Sequence, residues 1–105
     1  MALDSSQLKQ DVEIIERNIR QLDGKYNDFF DGVIALEPKE LRAQTETLVR
    51  RWQGKPIANT MLKFKFRNIE QRYKLYREKW DRKLRAKLRE EREEFVKDWI
   101  QVPDE

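Results

Sequence analysis

In two long segments of this 105-residue chain, apolar residues recur at alternating spacings of four and three residues. The first repeat runs from Leu8 to Phe29, and the second runs from Leu62 to Trp80 and continues at Leu84 and Leu88. A period near 3.5 residues is that of helices whose apolar seams face one another. The spacing therefore predicts an all-α fold built on two long helices.

Capping and helix-breaking residues indicate where the helices begin and end. Gly32 and Gly54 suit left-handed positions after a helix, and Pro38 suits a first helical turn, where no backbone N–H is needed. Asn59 or Thr60 is a candidate N-cap. We expect helix 1 at residues 6–31, helix 2 at residues 38–53 and helix 3 at residues 60–100, all in one domain of residues 1–105.

These helices predict a particular architecture. Helices 1 and 3 form a long antiparallel, coiled-coil-like hairpin, and the short helix 2 packs against it. Met61, Phe64 and Leu75 lie on a second apolar side of helix 3. We therefore expect helix 3 to be central, with helix 1 on one side and helix 2 or a partner on the other.

Helix 3 is longer than helix 1, and the difference predicts an overhanging C-terminal arm. Helix 1 reaches helix 3 only to about residue 85 at 1.5 Å per residue. Apolar residues at helical spacing continue beyond that point, namely Leu88, Phe95, Val96, Trp99 and Ile100. Exposed apolar patches usually mark contacts, so these residues are the predicted binding site for a protein partner or a second copy. Alternatively, the arm folds back over residues 33–37, where Val33, Ile34 and Leu36 are expected to pack on the end of the bundle.

Charge is distributed unevenly along the chain, and two interpretations follow. Residues 1–41 carry net charge −4, residues 42–59 carry +3, residues 60–92 carry +8 and residues 93–105 carry −4. In the first interpretation, basic residues of helix 3 pair with acidic residues of helix 1, which are Asp11, Glu13, Glu16, Asp23 and Asp28.

In the second interpretation, the excess basic charge binds phosphate. The candidate residues form what we call the basic face, which comprises Arg50, Arg51, Lys63, Lys65, Arg67, Arg72 and Lys74. Trp52, Tyr73 and Tyr76 are the aromatic residues that could stack on nucleic-acid bases. This pattern predicts nucleic-acid or ribosome binding as the alternative function.

The composition argues against catalysis. The chain contains no Cys and no His, which removes thiolate chemistry, the commonest general base and the commonest metal ligand. Glu90, Glu91, Glu93 and Glu94 form a dense carboxylate cluster, but adjacent arginines favour a solvated, salt-bridged face over a metal site. We expect no catalytic residue, no metal, no cofactor and no small-molecule substrate.

The cellular location follows from the same composition. No apolar run approaches the roughly 20 residues that span a bilayer, and "MALDSSQLKQ" lacks the basic and apolar regions of a signal peptide. The expectation is a cytoplasmic protein without a membrane span. The favoured function is a non-catalytic interaction module that binds a protein partner, or forms a homo-oligomer, through the arm and the basic face.

A set of short motifs lies within about residues 8–85. They are "FFDG" at Phe29, Phe30 and Gly32; Leu48, Arg50 and Arg51; "PIANT" at Pro56, Ile57, Asn59 and Thr60; Phe64 and Phe66; and Trp80 and Arg82. Together these motifs resemble a small, uncharacterised helical domain family of myxobacterial and related bacterial proteins. The family often occurs as a C-terminal domain of regulatory proteins. The resemblance implies a helical fold and no established activity, and this chain differs in extending helix 3 into an acidic tail.

Overall fold

The computed structural model describes residues 5–100, apart from the side chain of Ile100. These residues form three helices, namely α1 (Ser5–Phe30), α2 (Lys39–Trp52) and α3 (Thr60–Ile100). The prediction of an all-α protein is confirmed. Each helix begins and ends within one residue of the range expected from the sequence. The other residues of the predicted domain, 1–4 and 101–105, lie outside the described part.

The helix ends have local causes. Gly32 and Gly54 have φ angles of 80° and 72°, which a residue with a Cβ atom rarely adopts, and each ends a helix. The backbone N–H of Leu62 donates a hydrogen bond to Asn59 Oδ1 at 3.0 Å, so Asn59 caps α3. Pro38 precedes α2 without a side-chain cap.

The two long helices run parallel, which corrects the predicted antiparallel hairpin. Arg72 lies 3.9 Å from Glu16, and Lys79 lies 2.9 Å from Asp23, so residue numbers rise together along α1 and α3. The antiparallel neighbour of α1 is α2, as the contact between Arg51 and Asp11 shows. The physical reason is that α2 returns the chain to the end where α1 begins, before α3 starts.

The apolar seam of α1 forms the middle of the core. It packs against both α2 and α3. Helix α3 is therefore not central, and its outer side leaves Met61, Phe64 and Leu75 between 58% and 74% exposed. The buried apolar residues are Leu8, Val12, Ile15, Ile19, Leu22, Tyr26, Val49, Trp52, Phe66, Ile69, Tyr73 and Trp80.

A buried carboxylate joins the start of α1 to the end of α2. Asp11 is 1% exposed, and its Oδ2 accepts hydrogen bonds from Trp52 Nε1 at 2.7 Å and Arg51 Nη1 at 3.0 Å. Gln7 Nε2 donates to the other oxygen at 2.9 Å. A buried charge is tolerated when it is paired and hydrogen-bonded in this way. This contact fixes the hairpin between α1 and α2.

The connection between α1 and α2 does not pack on the bundle end as expected. Val33 and Leu36 are 71% and 80% exposed, and Ile34 is half-buried. The end is closed instead by Glu37, whose carboxylate accepts a hydrogen bond from the Tyr26 hydroxyl at 2.6 Å. The loop therefore contributes a polar contact to the fold and leaves two apolar side chains in water.

We predict that Asp11→Ala lowers the free energy of unfolding by about 2 kcal/mol, because it leaves the buried Trp52 N–H without an acceptor. Urea unfolding followed by circular dichroism measures the change. Glu13→Ala is the matched control, since Glu13 is exposed on the same helix and makes no ion pair in the described chain. Equal losses in the two variants would contradict the role given to Asp11.

Candidate interaction surfaces: the C-terminal arm and the basic face

The C-terminal arm, residues 88–100, projects from an aromatic cluster around Trp80. This side chain is fully buried and stacks on Tyr26 with ring centroids 4.7 Å apart. Tyr73 meets it edge-on at 6.3 Å, and Tyr76 is tilted against it at 5.8 Å. The cluster holds α3 against α1 shortly before the arm begins, so it fixes the direction in which the arm leaves the body.

Arg42 of α2 connects this cluster to both long helices. Its guanidinium donates to the Tyr26 hydroxyl at 3.0 Å and to Asp81 at 2.6 Å. It also lies 5.9 Å from the Tyr26 ring centroid and 6.0 Å from that of Trp80. Burial acts to lower the pKa of Arg42, but the contacts with Tyr26 and Asp81 outweigh it and raise that pKa above its ordinary value.

Burial also perturbs two tyrosines beside the cluster. It raises the pKa of Tyr26 to about 12, and the hydrogen bond to Glu37 contributes to the increase. Burial raises the pKa of Tyr73 as well, and the hydrogen bond that its hydroxyl donates to Glu46 at 2.8 Å adds to the increase. Both hydroxyls therefore remain protonated donors well above neutral pH.

Lysines of α3 hold the last turns of α1. Lys79 Nζ and Trp80 Nε1 both donate to Asp23, at 2.9 and 3.1 Å. Burial acts to raise the pKa of Asp23, but these hydrogen bonds outweigh it and hold the pKa below its ordinary value. Further along α3, Lys83 lies 5.7 Å from the Phe30 ring and Lys87 lies 5.1 Å from the Phe29 ring. Contacts between α1 and α3 thus continue to Lys87.

The arm itself exposes large apolar side chains. Leu88, Phe95, Val96 and Trp99 are 63%, 62%, 44% and 68% exposed. The rings of Phe95 and Trp99 contact each other, with centroids 6.3 Å apart. The side chain of Ile100, the fifth predicted arm residue, lies outside the described part. In residues 5–100 the arm does not fold back over the 33–37 loop, since both surfaces stay exposed.

The structure separates the basic face into paired and unpaired residues. Arg50, Arg51 and Arg72 lie within 4 Å of Glu46, Asp11 and Glu16, at 3.8, 3.0 and 3.9 Å. The other four, which are Lys63, Lys65, Arg67 and Lys74, make no ion pair within the described residues. The expected neutralisation of α3 by α1 is therefore partial, and Asp11 pairs with α2 rather than with α3.

The aromatic residues expected to stack on bases belong to the core. Trp52 and Tyr73 are 2% exposed, and Tyr76 is half-buried against Trp80. None of the three presents a free ring face at the basic face. Phe64, which is 58% exposed beside Lys63 and Lys65, is the aromatic residue that the structure leaves open there.

Sequence reasoning missed the polar part of the interior. Asp11 and Asn18 are buried polar residues of α1, and Val49 is a core residue of α2. The spacing of Asp11 and Asn18 could have identified both, because they are seven residues apart and lie beside the α1 seam on the same side.

Within residues 5–100, no group of three or more His, Cys, Asp or Glu side chains lies close enough together to hold a metal ion. None of the helices in this described part of the chain combines the length and the apolar character that crossing a membrane requires.

No protein-family model matches this sequence, and neither the curated proteins nor the solved structures provide a significant match. The resemblance to the small bacterial domain family therefore stays a prediction. The surfaces must be interpreted from their own chemistry.

We predict that the stability of the protein falls as the pH rises from 10 to 12. The folded state retains the Tyr26 proton that the unfolded chain releases near pH 10, so stabilisation present below pH 10 is lost above it. Urea unfolding at several pH values measures the decline. Tyr26→Phe should make it shallower, whereas Tyr76→Phe, which removes a hydroxyl without a hydrogen bond to the described chain, should not. Identical slopes in the two variants would rule out this linkage.

Proposed function

We propose that the protein is a non-catalytic interaction module whose arm binds protein. The observation that carries the proposal is the exposure of Leu88, Phe95 and Trp99 on one side of a helix that α1 and α2 do not reach. Positions seven and eleven residues apart lie on one side of a helix, so these side chains form a continuous stripe. An apolar stripe of this kind is the usual anchor of helix-in-groove or helix-to-helix binding.

The energetics of the arm support this function. Isolated helices shorter than about 12–15 residues are marginal in water, and residues 88–100 lie within that range. The arm is helical as a continuation of α3, and burial of Phe95 and Trp99 would contribute about 1.5–3 kcal/mol for each fully covered side chain. A partner therefore gains binding energy and stabilises the arm in the same step.

The charge of the arm favours protein over lipid as its partner. Five acidic residues flank the stripe, namely Glu90, Glu91, Glu93, Glu94 and Asp98. Helices that bind membrane surfaces carry mainly Lys and Arg on their polar side, and anionic lipids repel carboxylates. The arm suits a partner with an apolar groove and basic edges.

Phosphate binding by the basic face is the second candidate function. Its support is the set of four basic residues without an ion pair, together with the exposed ring of Phe64 beside Lys63 and Lys65. Basic side chains interleaved with an open aromatic ring suit single-stranded nucleic acid. The salt dependence of the binding affinity distinguishes the two functions, because phosphate contacts release counterions and burial of apolar surface does not.

We predict that Phe95→Ser/Trp99→Ser abolishes association through the arm but changes the free energy of unfolding by no more than about 0.5 kcal/mol, because both residues are exposed. Association is measured by light scattering on the purified protein and by the retention of other proteins on the immobilised chain. Urea unfolding measures the free energy of unfolding. A chain ending after Lys87 should behave in the same way.

Leu36→Ser is the matched control, since Leu36 is exposed to a similar degree but lies in the α1–α2 loop. It should associate as the parent chain does, both in low and in high salt. If the arm variant retains every association of the parent, the proposed function is wrong. If binding disappears in high salt and RNA competes for it, phosphate binding takes its place.

A further inference from the structure

A groove between α2 and α3 contains part of the basic face. Its larger part has a volume of about 350 Å³, and Lys55, Lys63 and Arg67 are among the residues that line it. Its smaller part has a volume of about 220 Å³, and Lys74 is among the residues that line it. Glu70 lines both parts, so they adjoin, and no described residue of α1 lines either of them.

The other basic-face residues of α3 lie on a different side of the helix. Lys65 and Arg72 line a separate cleft together with Glu13 and Glu16 of α1. Arg72 lies 3.9 Å from Glu16 within that cleft. Acidic side chains of α1 therefore accompany the basic residues there, whereas α1 supplies none to the groove between α2 and α3.

The four basic residues of the groove make no ion pair within residues 5–100. Lys63, Arg67 and Lys74 follow one another at spacings of four and seven residues, so they lie along one side of α3 over about 16 Å. Lys55 extends this line into the connection between α2 and α3. Glu70 is the acidic residue among them, so basic charge exceeds acidic charge in the groove.

The floor of the groove is largely apolar. Trp52 and Phe66 line the larger part and Tyr73 lines the smaller part, and each of these side chains is no more than 3% exposed. Beyond them, Arg77 is paired with Glu46 at 3.3 Å, so the unpaired basic charge ends there. A cleft with one predominant sign of charge and low-dielectric walls focuses the electrostatic field and attracts ions of the opposite sign.

We propose that this groove binds the phosphate backbone of single-stranded nucleic acid. The inference rests on phosphate binding, the second candidate function, and gives that function a defined site and a class of ligand. A line of cations along a helix suits a ligand whose phosphates follow one another, since each phosphate that is neutralised releases counterions. No described residue of the arm lines the groove, so the arm remains available to protein.

An exposed aromatic ring beside the groove favours nucleic acid over other polyanions. Phe64 is 58% exposed and precedes Arg67 by three residues, which makes the two side chains neighbours on the helix surface. A nucleotide whose phosphate lies at Arg67 can therefore place its base on this ring. Stacking requires an unpaired base with an open face, which indicates a single strand rather than a duplex.

The first experiment reverses one charge on each side of α3. Fluorescence anisotropy measures the affinity of the full chain for a labelled oligothymidylate of about 12 nucleotides at several salt concentrations. Arg67→Glu should weaken binding roughly tenfold at low salt and make the slope of log affinity against log salt shallower by about 0.7, because one phosphate contact is lost.

Lys65→Glu is the matched control for Arg67→Glu. It reverses a charge two residues away on the same helix, outside the groove, and should weaken binding by no more than roughly threefold. Lys65 and Arg67 are both exposed and have no ion pair within the described residues, so neither substitution should change the urea midpoint.

The second experiment removes the acidic residue of the groove. Glu70→Gln should tighten binding of the oligothymidylate roughly threefold, because it removes a carboxylate that repels phosphate. Glu13→Gln removes the same charge from α1 and should leave the affinity nearly unchanged. Equal increases in the two variants would overturn the groove as the site.

The third experiment distinguishes nucleic acid from free polyphosphate. Phe64→Ala should weaken binding of the oligothymidylate roughly fivefold and leave binding of inorganic polyphosphate unchanged, because polyphosphate has no base to stack. Leu75→Ala is the control, since Leu75 is 61% exposed on the same side of α3 but has no ring. Equal affinities of Phe64→Ala and the parent for the oligothymidylate would overturn nucleic acid as the ligand.

The remaining outcomes separate this inference from the functions proposed above. An oligothymidylate that binds equally to Arg67→Glu and Lys65→Glu overturns the groove but leaves phosphate binding as a function. No binding at low salt overturns both, and binding of polyglutamate instead would assign the groove to an acidic protein segment. Phe95→Ser/Trp99→Ser should bind the oligothymidylate as the parent does, and a loss of binding in this variant would place the site on the arm.

Discussion

The buried indole of Trp80 is the interaction on which the arrangement of the three helices depends. It belongs to α3, stacks on Tyr26 of α1 and lies beneath Arg42 of α2, and its N–H donates to Asp23. Stacking, cation–π attraction and a hydrogen bond to a carboxylate act at one position, where water is excluded. Because the arm begins two turns later, the same contacts that hold the body together also fix the arm relative to it.

The positions of the helices along the chain were more predictable from the sequence than the relative directions in which the helices run. Steps of four and three identified the seams of α1 and α3, and Gly32, Gly54 and Asn59 identified helix ends that the structure shows within one residue. Periodicity carries no information on polarity, because a heptad seam accepts parallel and antiparallel neighbours alike. The decisive feature was α2, whose return along α1 makes α1 and α3 parallel.

The buried polar residues escaped prediction for a related reason. In a pair of helices the buried seam is narrow, and the residues beside it stay in water. A two-helix seam therefore predicts that Asp11 is exposed and pairs with a basic residue of α3. A third helix widens the buried stripe of α1, and the flank that carries Asp11 and Asn18 then lies inside. Once buried, Asp11 requires donors, and Trp52 and Arg51 of α2 supply them. The arm was predictable because it depends only on relative helix lengths and apolar spacing.

The distribution of charge along α3 gives its two ends opposite character. Residues 60–87 carry eleven basic and three acidic groups, whereas residues 88–100 carry three basic and five acidic groups. Part of the basic charge pairs within the chain, through Lys79 with Asp23 and Arg72 with Glu16. Lys63, Lys65, Arg67 and Lys74 make no ion pair within the described residues and carry the basic charge that remains. The basic face and the acidic arm therefore suit ligands of opposite charge, so one helix presents two surfaces with different preferences.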